Sequence, residues 1–386
     1  MTRLEADWLS HPASIAVMDA IGDGYFVGGC VRNALLDAGV TDLDVATPHP
    51  PEETAKRLEA AGVKAIPTGV AHGTITAVFE GTPIEVTTFR RDVATDGRRA
   101  TVAFTTDIAI DAARRDFTMN ALYADREGNL LDPLGGLPDL QSGLVRFIGD
   151  AKDRIREDYL RILRFFRFHA WYGRDGIDPD GLAACAELAD GMESLARERV
   201  GWEFRKLLGA TDPSPAMASM ASAGVLARCL PGADPQALAP LVHLESASGL
   251  SPDWMVRLIA IGGEGVAARL KFSRSEQATH AAISKALGWQ DRPVAEVSYR
   301  AGPDVARAAA MLVAASIGAT LAEDLEAELA RGAEAVFPLK ARDLISAGYT
   351  PGPSLGTCLS LRESDWIASD FTLSHTELLA LVDSPH

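Results

Sequence analysis

Two aspartates one residue apart, Asp42 and Asp44 in the stretch TDLDVAT, follow a glycine pair, Gly28 and Gly29, in YFVGGCVRNALL. Hard carboxylate oxygens suit Mg2+, and two carboxylates on one face of a strand can bridge divalent cations. The glycines let the backbone come close to a ligand, and N–H groups at a helix start point at an anion. Arg32, on the first turn of that helix, adds a guanidinium fork matched to phosphate. Together these residues have the layout of a metal-dependent nucleotidyl-transfer site. Such a site holds the attacking oxygen, the phosphorus and the leaving pyrophosphate in line while two Mg2+ neutralise charge, one at the attacking 3′-hydroxyl and one at the triphosphate. Singly, GG and DxD are common patterns, and paired aspartates also cap helices or face solvent, so the assignment needs further residues.

The surrounding elements must position them. Tyr25 to Val27 reads as a short buried strand and Val31 to Leu36 as the start of a helix. Asp42 and Asp44 are read as strand residues sharing a face. Glu52 to Ala61 has helical spacing, and GTITAVF and PIEVTTF alternate on either side of Gly81 and Thr82, a hairpin signal. Glu85, on the second arm, either comes beside the two aspartates through an antiparallel strand or faces solvent. Beyond about residue 140 strand signals give way to helical spacing, at 154–172, 181–189, 198–208 and 305–333, with joints at Pro213 and Pro215, Pro231 to Pro240, and Asp291 to Pro293. On the first of these segments Asp158 and Arg161 are three apart and share a face, with Arg164 beyond them, while Ile155, Tyr159, Ile162 and Phe166 form an apolar stripe.

Two more clusters raise the specificity: RRDFTMNALY from Arg114 to Tyr123, and RIREDYLRILRFFRF from Arg154 to Phe168. With GGCVRN, DLD, DPLGG (Asp132 to Gly136) and ERVGWEF (Glu198 to Phe204), residues 22–210 resemble the tRNA nucleotidyltransferase and poly(A) polymerase family, specifically its bacterial class II members with CCA-adding activity. The resemblance implies an α+β chain: a polymerase-beta-like nucleotidyltransferase head with a mixed sheet and helices over 1–140, a nucleotide-reading neck over 141–210, and an all-helical, tRNA-binding body and tail over 211–386. It implies Asp42 and Asp44 as catalytic metal ligands, with Glu85 as a candidate third carboxylate. Gly28, Gly29, Arg32 and Arg115 would hold the nucleotide, with Asp116 and Asn120 orienting its sugar and Arg114 structural or facing RNA. Asp158 and Arg161 would be the template that reads the incoming base, with Arg164 and Arg167 as further nucleotide-binding arginines. The chemistry suits C and A together, since both place an amine donor beside a ring-nitrogen acceptor, whereas uracil and guanine reverse that polarity. The arginine-rich segment from Arg90 to Phe104 resembles the flexible loop of A-adding members. CTP, ATP and the tRNA 3′ end are the implied substrates, with no obligate protein partner.

Composition sets the outer bounds. The chain has 386 residues, 47% of them hydrophobic, enough for several packed units. Neither a membrane-length apolar run nor a signal-peptide core is present, so a cytoplasmic enzyme is expected. Cys30, Cys185, Cys229 and Cys358 are scattered, which argues against a zinc site or a disulfide framework and for reduced, buried thiols. A net charge of −16 runs against RNA binding, but the acidic residues gather after Val305 while arginines gather at 90–115 and 154–167. Gly352 to Gly356 fits GxSxG, yet Pro353 suits a helix start better than a nucleophile elbow. Other readings are a poly(A) polymerase or A-adding enzyme, a non-catalytic RNA-binding protein on the same fold, and a nucleotidyltransferase for small molecules. The intact acidic pair opposes the second, and the helical half opposes the third.

Overall fold

The computed structural model describes residues 3–96, 99–174 and 176–382, without the side chains of 92–101. Helix α1 (Pro12–Ile21) begins with a proline at its first turn, and the His11 ring accepts from the Ala13 N–H. Strand β1 (Tyr25–Val27) then turns at Gly28 into α2 (Gly29–Leu35). Gly28 sits at φ 72°, ψ −119°, a conformation that side-chain-bearing residues avoid. Next come β2 (Asp44–Thr47), α3 (Pro51–Ala60), β3 (Lys64–Gly69), β4 (Thr74–Phe79), β5 (Thr82–Thr88), β6 (Arg90–Asp96), β7 (Arg99–Phe104), α4 (Ile108–Ala113), β8 (Tyr123–Ala124) and β9 (Leu130–Leu131).

Seven strands form one sheet in the order β3-β4-β5-β2-β1-β8-β9, with α1 and α3 packed on it over Val17, Ile21, Leu58, Ile75 and Ile84. The expected hairpin is β4–β5: Phe79 pairs with Thr82 across Glu80 and Gly81, both at positive φ, as a tight turn of right-handed strands requires. Two expectations about the acidic residues change. Only Asp44 is in a strand; Asp42 lies in the exposed segment before β2. And β5 runs parallel, not antiparallel, to β2, with Asp44 beside Glu85, so these two carboxylates share a sheet face. The Arg90 to Phe104 segment, expected as a flexible loop, forms the separate two-stranded sheet β6–β7; Gly97 and Arg98 lie outside the described residues.

Helices take over as expected, with breaks that helical spacing hides. Helix α5 (Leu137–Ser142) starts where the Asp132 carboxylate accepts from the Gly136 and Leu137 N–H groups at 2.8 and 2.9 Å. A Cβ on Gly136 would lie 2.3 Å from the Thr118 carbonyl oxygen, so DPLGG packs directly on RRDFTMNA. The 154–172 segment is two helices, α6 (Ala151–Glu157) and α7 (Leu160–Tyr172). Between them Asp158 is extended and its carboxylate accepts from the Leu160 N–H at 3.1 Å, restarting the helix as an N-cap does. The Tyr159 ring lies against Gly191, where a Cβ would come within 1.9 Å of it. Asp158 and Arg161 therefore do not share one helix face.

Helices α8 (Pro179–Glu187) and α9 (Arg197–Leu208) follow, and α9 packs on α7. Buried Arg257 donates to the carbonyls of Leu208, Ala210 and Thr211, capping the C-terminal end of α9 with a cation. The chain forms two compact units, Met1–Val242 with Ser251–Phe272, and His243–Leu250 with Ser273–His386. The second is helical over its described residues, cored by Ala286, Val297, Ala309 and Leu329 and, further on, by Leu339, Trp366 and Leu378. There the 305–333 segment is again two helices, Pro303–Ile317 and Leu325–Glu334, because Gly318 ends the first in the left-handed conformation. Pro353 opens a helix, Pro353–Ala368, so the GxSxG stretch forms no strand-to-helix elbow. All four cysteines are free and buried. No helix among the described residues is long and apolar enough to cross a membrane.

Candidate active site

Gly28 brings the N-terminal end of α2 against the RRDFTMNA segment: its N–H donates to the Leu122 carbonyl, and a Cβ there would meet Arg115 Nη1 at 3.5 Å. Arg32 is buried. Its guanidinium donates to Asn120 Oδ1, to Asn33 Oδ1 and, at 2.8 Å, to the Tyr172 hydroxyl, and it stacks on the Tyr172 ring at 4.2 Å. Burial lowers its pKa, but the Tyr172 and Asp116 oxygens oppose the shift.

Arg115 is aimed by residues the sequence reading assigned no role. Its Nη2 donates to fully buried Asp111 at 3.1 Å and its Nε to the Tyr123 hydroxyl at 3.1 Å, while that hydroxyl donates to Asp111 at 2.8 Å. Arg114 pairs with the same carboxylate at 2.7 Å. Asp116 is buried; its Oδ1 accepts from Asn120 Nδ2 and the Phe117 N–H, both at 2.9 Å, and its Oδ2 accepts from Nε and Nη2 of Arg164. Burial alone would raise its pKa; Arg164 and these hydrogen bonds hold it well below the usual carboxylate range. Arg167 donates to buried Glu203 at 2.6 Å, and Arg164 approaches the other oxygen of Glu203 at 3.8 Å. One connected set, Arg32, Asn120, Asp116, Arg164, Glu203 and Arg167, thus runs from α2 to α9.

The two residues read as the base template are each engaged elsewhere rather than with one another. Asp158 accepts from Arg199 Nη2 at 2.5 Å; Arg161 donates to Glu157 and to the carbonyls of Arg154 at 2.8 Å and Arg114 at 3.3 Å. A carboxylate has about four lone-pair sites and a guanidinium five donors, so both retain capacity for a ligand.

A cavity of about 550 Å³ collects Gly28, Gly29, Arg32, Asp44, Arg115, Asp116, Asn120, Asp158, Arg161, Arg164 and Arg167. Arg114, Arg199 and Lys206 also line it, which makes it strongly basic on an acidic chain. Asp42 borders an adjoining cavity of about 370 Å³ that shares Gly29, Arg32, Asp44, Arg167 and Lys206. Glu85 lines neither. Burial, then the Glu85 charge, pushes the Asp44 carboxyl up to about 6, with Asp42 adding in the same direction. A divalent cation would relieve that repulsion, and the hard oxygens of Asp42 and Asp44 fit one. Among the described residues no three acidic, histidine or cysteine side chains are close enough to hold an ion by themselves, so phosphate oxygens and water would complete its shell. The sequence reading missed Asp111, Tyr123, Arg199, Glu203 and Lys206; all lie in or beside quoted motifs, but their partners become visible only when distant segments meet.

A family model for the poly A polymerase head domain matches residues 24–146, and one for a probable RNA- and SrmB-binding site of polymerase A matches 176–236. The chain is 34% identical over 374 residues to CCA tRNA nucleotidyltransferase 1, mitochondrial, of Danio rerio, spanning 92% of this chain and 85% of that one. It is 31% identical over 371 residues to the CCA-adding enzyme of Limosilactobacillus fermentum, spanning 91% and 90%. Among solved structures it resembles the Bacillus stearothermophilus CCA-adding enzyme in complex with CTP, with a TM-score of 0.69 at 27% identity over 93% of this chain and 94% of the other. It shares the fold of the Thermotoga maritima CCA-adding enzyme complexed with tRNA, with a TM-score of 0.69 at 19% identity over 98% of each.

Asp116→Asn tests the buried pair. A carboxyl held low in the folded state stabilises it fully above the unfolded value of about 3.9, and that contribution is lost as pH falls below it. The substitution should lower stability near pH 7 by about 2–3 kcal/mol, the low end for a broken buried pair because Arg164 remains 29% exposed. It should also flatten the decline in stability below about pH 4, leaving the share from Asp111, which is likewise held low. Denaturant unfolding across pH checks both; an unchanged acid slope would contradict the assignment.

Proposed function

The chain belongs to the family of CCA-adding tRNA nucleotidyltransferases, and we propose that it builds or repairs the 3′-terminal CCA of tRNA from CTP and ATP, releasing pyrophosphate. The observation that carries this reading is a basic cavity lined by Asp44 together with Asp158 and Arg161. A nucleotide in that cavity has both the catalytic carboxylate and the base-reading pair on its walls.

In this reading the N–H groups and glycines at the start of α2, with Arg32 and Arg115, hold the triphosphate. Asp116 and Asn120, whose polar atoms border the cavity, orient the sugar. Members of this family generally use divalent metal ions, and Mg2+ is the ion proposed for Asp42 and Asp44, where it would supply charge neutralisation and lower the pKa of the attacking 3′-hydroxyl. Glu85, on the same sheet face as Asp44, is assigned the weaker part of adding negative charge to that ion site. The new bond joins the tRNA 3′ oxygen to the α-phosphorus, and the bond to the β-phosphate oxygen breaks.

Asp158 accepts from the exocyclic amine of cytosine or adenine, and Arg161 donates to the adjacent ring nitrogen. Arg199 aims the Asp158 carboxylate, and Glu157 aims the Arg161 guanidinium. UTP and GTP present a carbonyl to Asp158 and an N–H to Arg161, which sets acceptor against acceptor and donor against donor. Arg164 and Arg167 hold the remainder of the nucleotide, fixed by Asp116 and Glu203. The head is assigned to about residues 1–140, the neck to 141–210, and tRNA binding to the helical remainder; the matched RNA-binding family segment, 176–236, spans the end of that neck and the start of that remainder.

Asp44→Asn should reduce single-turnover CMP transfer by about a thousandfold while the thermal midpoint stays within a few degrees, because the lost charge acts on the reaction rather than on packing. Retention of about a tenth of wild-type activity, a loss of only about 1.4 kcal/mol, would contradict the metal-ligand assignment. Asp158→Ala and Arg161→Ala should slow CTP and ATP and narrow the gap to UTP and GTP, since each removal weakens both attraction and rejection. Measuring kcat/KM for all four nucleotides decides this. A uniform slowing with UTP and GTP still rejected would move base choice elsewhere.

A further inference from the structure

The smaller cavity has a feature that nucleotide binding does not use. Trp171, in the last turn of α7, lines it while remaining 49% exposed, beside Asp42, Asp44 and Lys206. Its indole N–H donates to the Lys206 carbonyl at 2.7 Å, so the ring is held in place instead of swinging in solvent. The Lys206 ammonium lies 3.7 Å from the centre of the Trp202 ring, itself 48% exposed, and this fixes the cation at the cavity rim. A pinned, half-exposed indole with a cation beside it and carboxylates beyond matches what a single-stranded nucleotide needs: a flat face for the base and a positive charge for the phosphate.

In-line displacement places the attacking oxygen and the leaving group on opposite sides of the phosphorus. A nucleotide in the larger cavity occupies one side of Asp44. The attacking strand must reach the same carboxylate from another side, and the smaller cavity opens onto both Asp42 and Asp44. Resting on the functional reading above, we propose that this cavity seats the single-stranded 3′ end of the acceptor RNA, with its terminal base stacked on Trp171 and the adjoining phosphate facing Lys206.

The test uses the full-length protein, tRNA lacking its CCA, and a hairpin RNA with or without an unpaired 3′ nucleotide. Trp171→Ala should raise the KM for tRNA roughly five- to fiftyfold, as loss of one base–aromatic stack implies, and leave the KM for CTP within about twofold. Trp171→Phe, which keeps a stacking face, should recover most of the loss. Lys206→Ala should weaken tRNA binding and reduce the magnitude of its log–log salt slope by about one. The overhang hairpin should quench tryptophan fluorescence in the unaltered protein more than in Trp171→Phe, and more than the blunt hairpin does. That comparison stands even if the alanine variant fails to fold. A raised KM for CTP with an unchanged KM for tRNA would place the triphosphate here and overturn the proposal, as would unchanged kinetics in both or equal quenching by the two hairpins. If the unaltered protein extends no tRNA at all, the functional reading fails instead; if it does and Trp171→Ala behaves like it, only the seat is wrong.

Discussion

Buried Asp116 carries the constraint on which the site depends. Its two carboxylate oxygens bind Asn120 on one side and Arg164 on the other, and these in turn hold Arg32 and face Glu203. A carboxylate out of water is tolerated only when it is paired and hydrogen-bonded, so the segment carrying Asp116 must stay docked between α2 and α7. This holds together the cavity residues proposed to grip the triphosphate and those proposed to read the base. A template that replaces a nucleic-acid strand with protein side chains needs such rigidity, because discrimination by a few kcal/mol is lost if the base can shift to find water.

The same logic accounts for the contrast between an acidic chain and a basic cavity. Arg115, Arg164 and Arg167 each have a buried acid behind them: Asp111, Asp116 and Glu203 respectively. The acids orient the guanidinium groups and offset part of their mutual repulsion, yet leave donors pointing into the cavity. Net charge then says little about partners. What a ligand meets is the local field of a cavity lined by arginines, so on a chain with an overall charge of −16 positive charge is concentrated at the proposed site.

Much of this was legible in the sequence, and the remainder was hidden for definite reasons. The short strand, glycine turn and helix around Gly28 follow from local rules, and the β4–β5 hairpin follows from alternation around a turn that needs positive φ. The direction in which β5 meets β2 did not, because pairing between strands far apart in sequence leaves no local trace, and Glu85 came to Asp44 along a parallel strand. Helical spacing ran through Asp158 since the apolar stripe of Ile155, Ile162 and Phe166 continues across the break; only the extended backbone at Asp158 and the Tyr159 ring against Gly191 reveal it. Grouping the residues proposed to bind nucleotide into one cavity needed the family resemblance, because Gly28 and Arg167 are joined by folding and not by spacing. Asp111, Glu203 and Arg199 were missed because an acid or arginine on a helix face shows its partner only in three dimensions.

The most direct measurement is single-nucleotide extension by the unaltered protein on tRNA ending at its discriminator base, with Mg2+ and each nucleoside triphosphate in turn and then CTP with ATP. If one cavity reads the shared edge of C and A, CTP alone should add cytidines and stop, CTP with ATP should complete CCA, and UTP and GTP should add nothing. Long adenosine tails from ATP alone, or extension by UTP or GTP at a rate comparable to CTP, would contradict it.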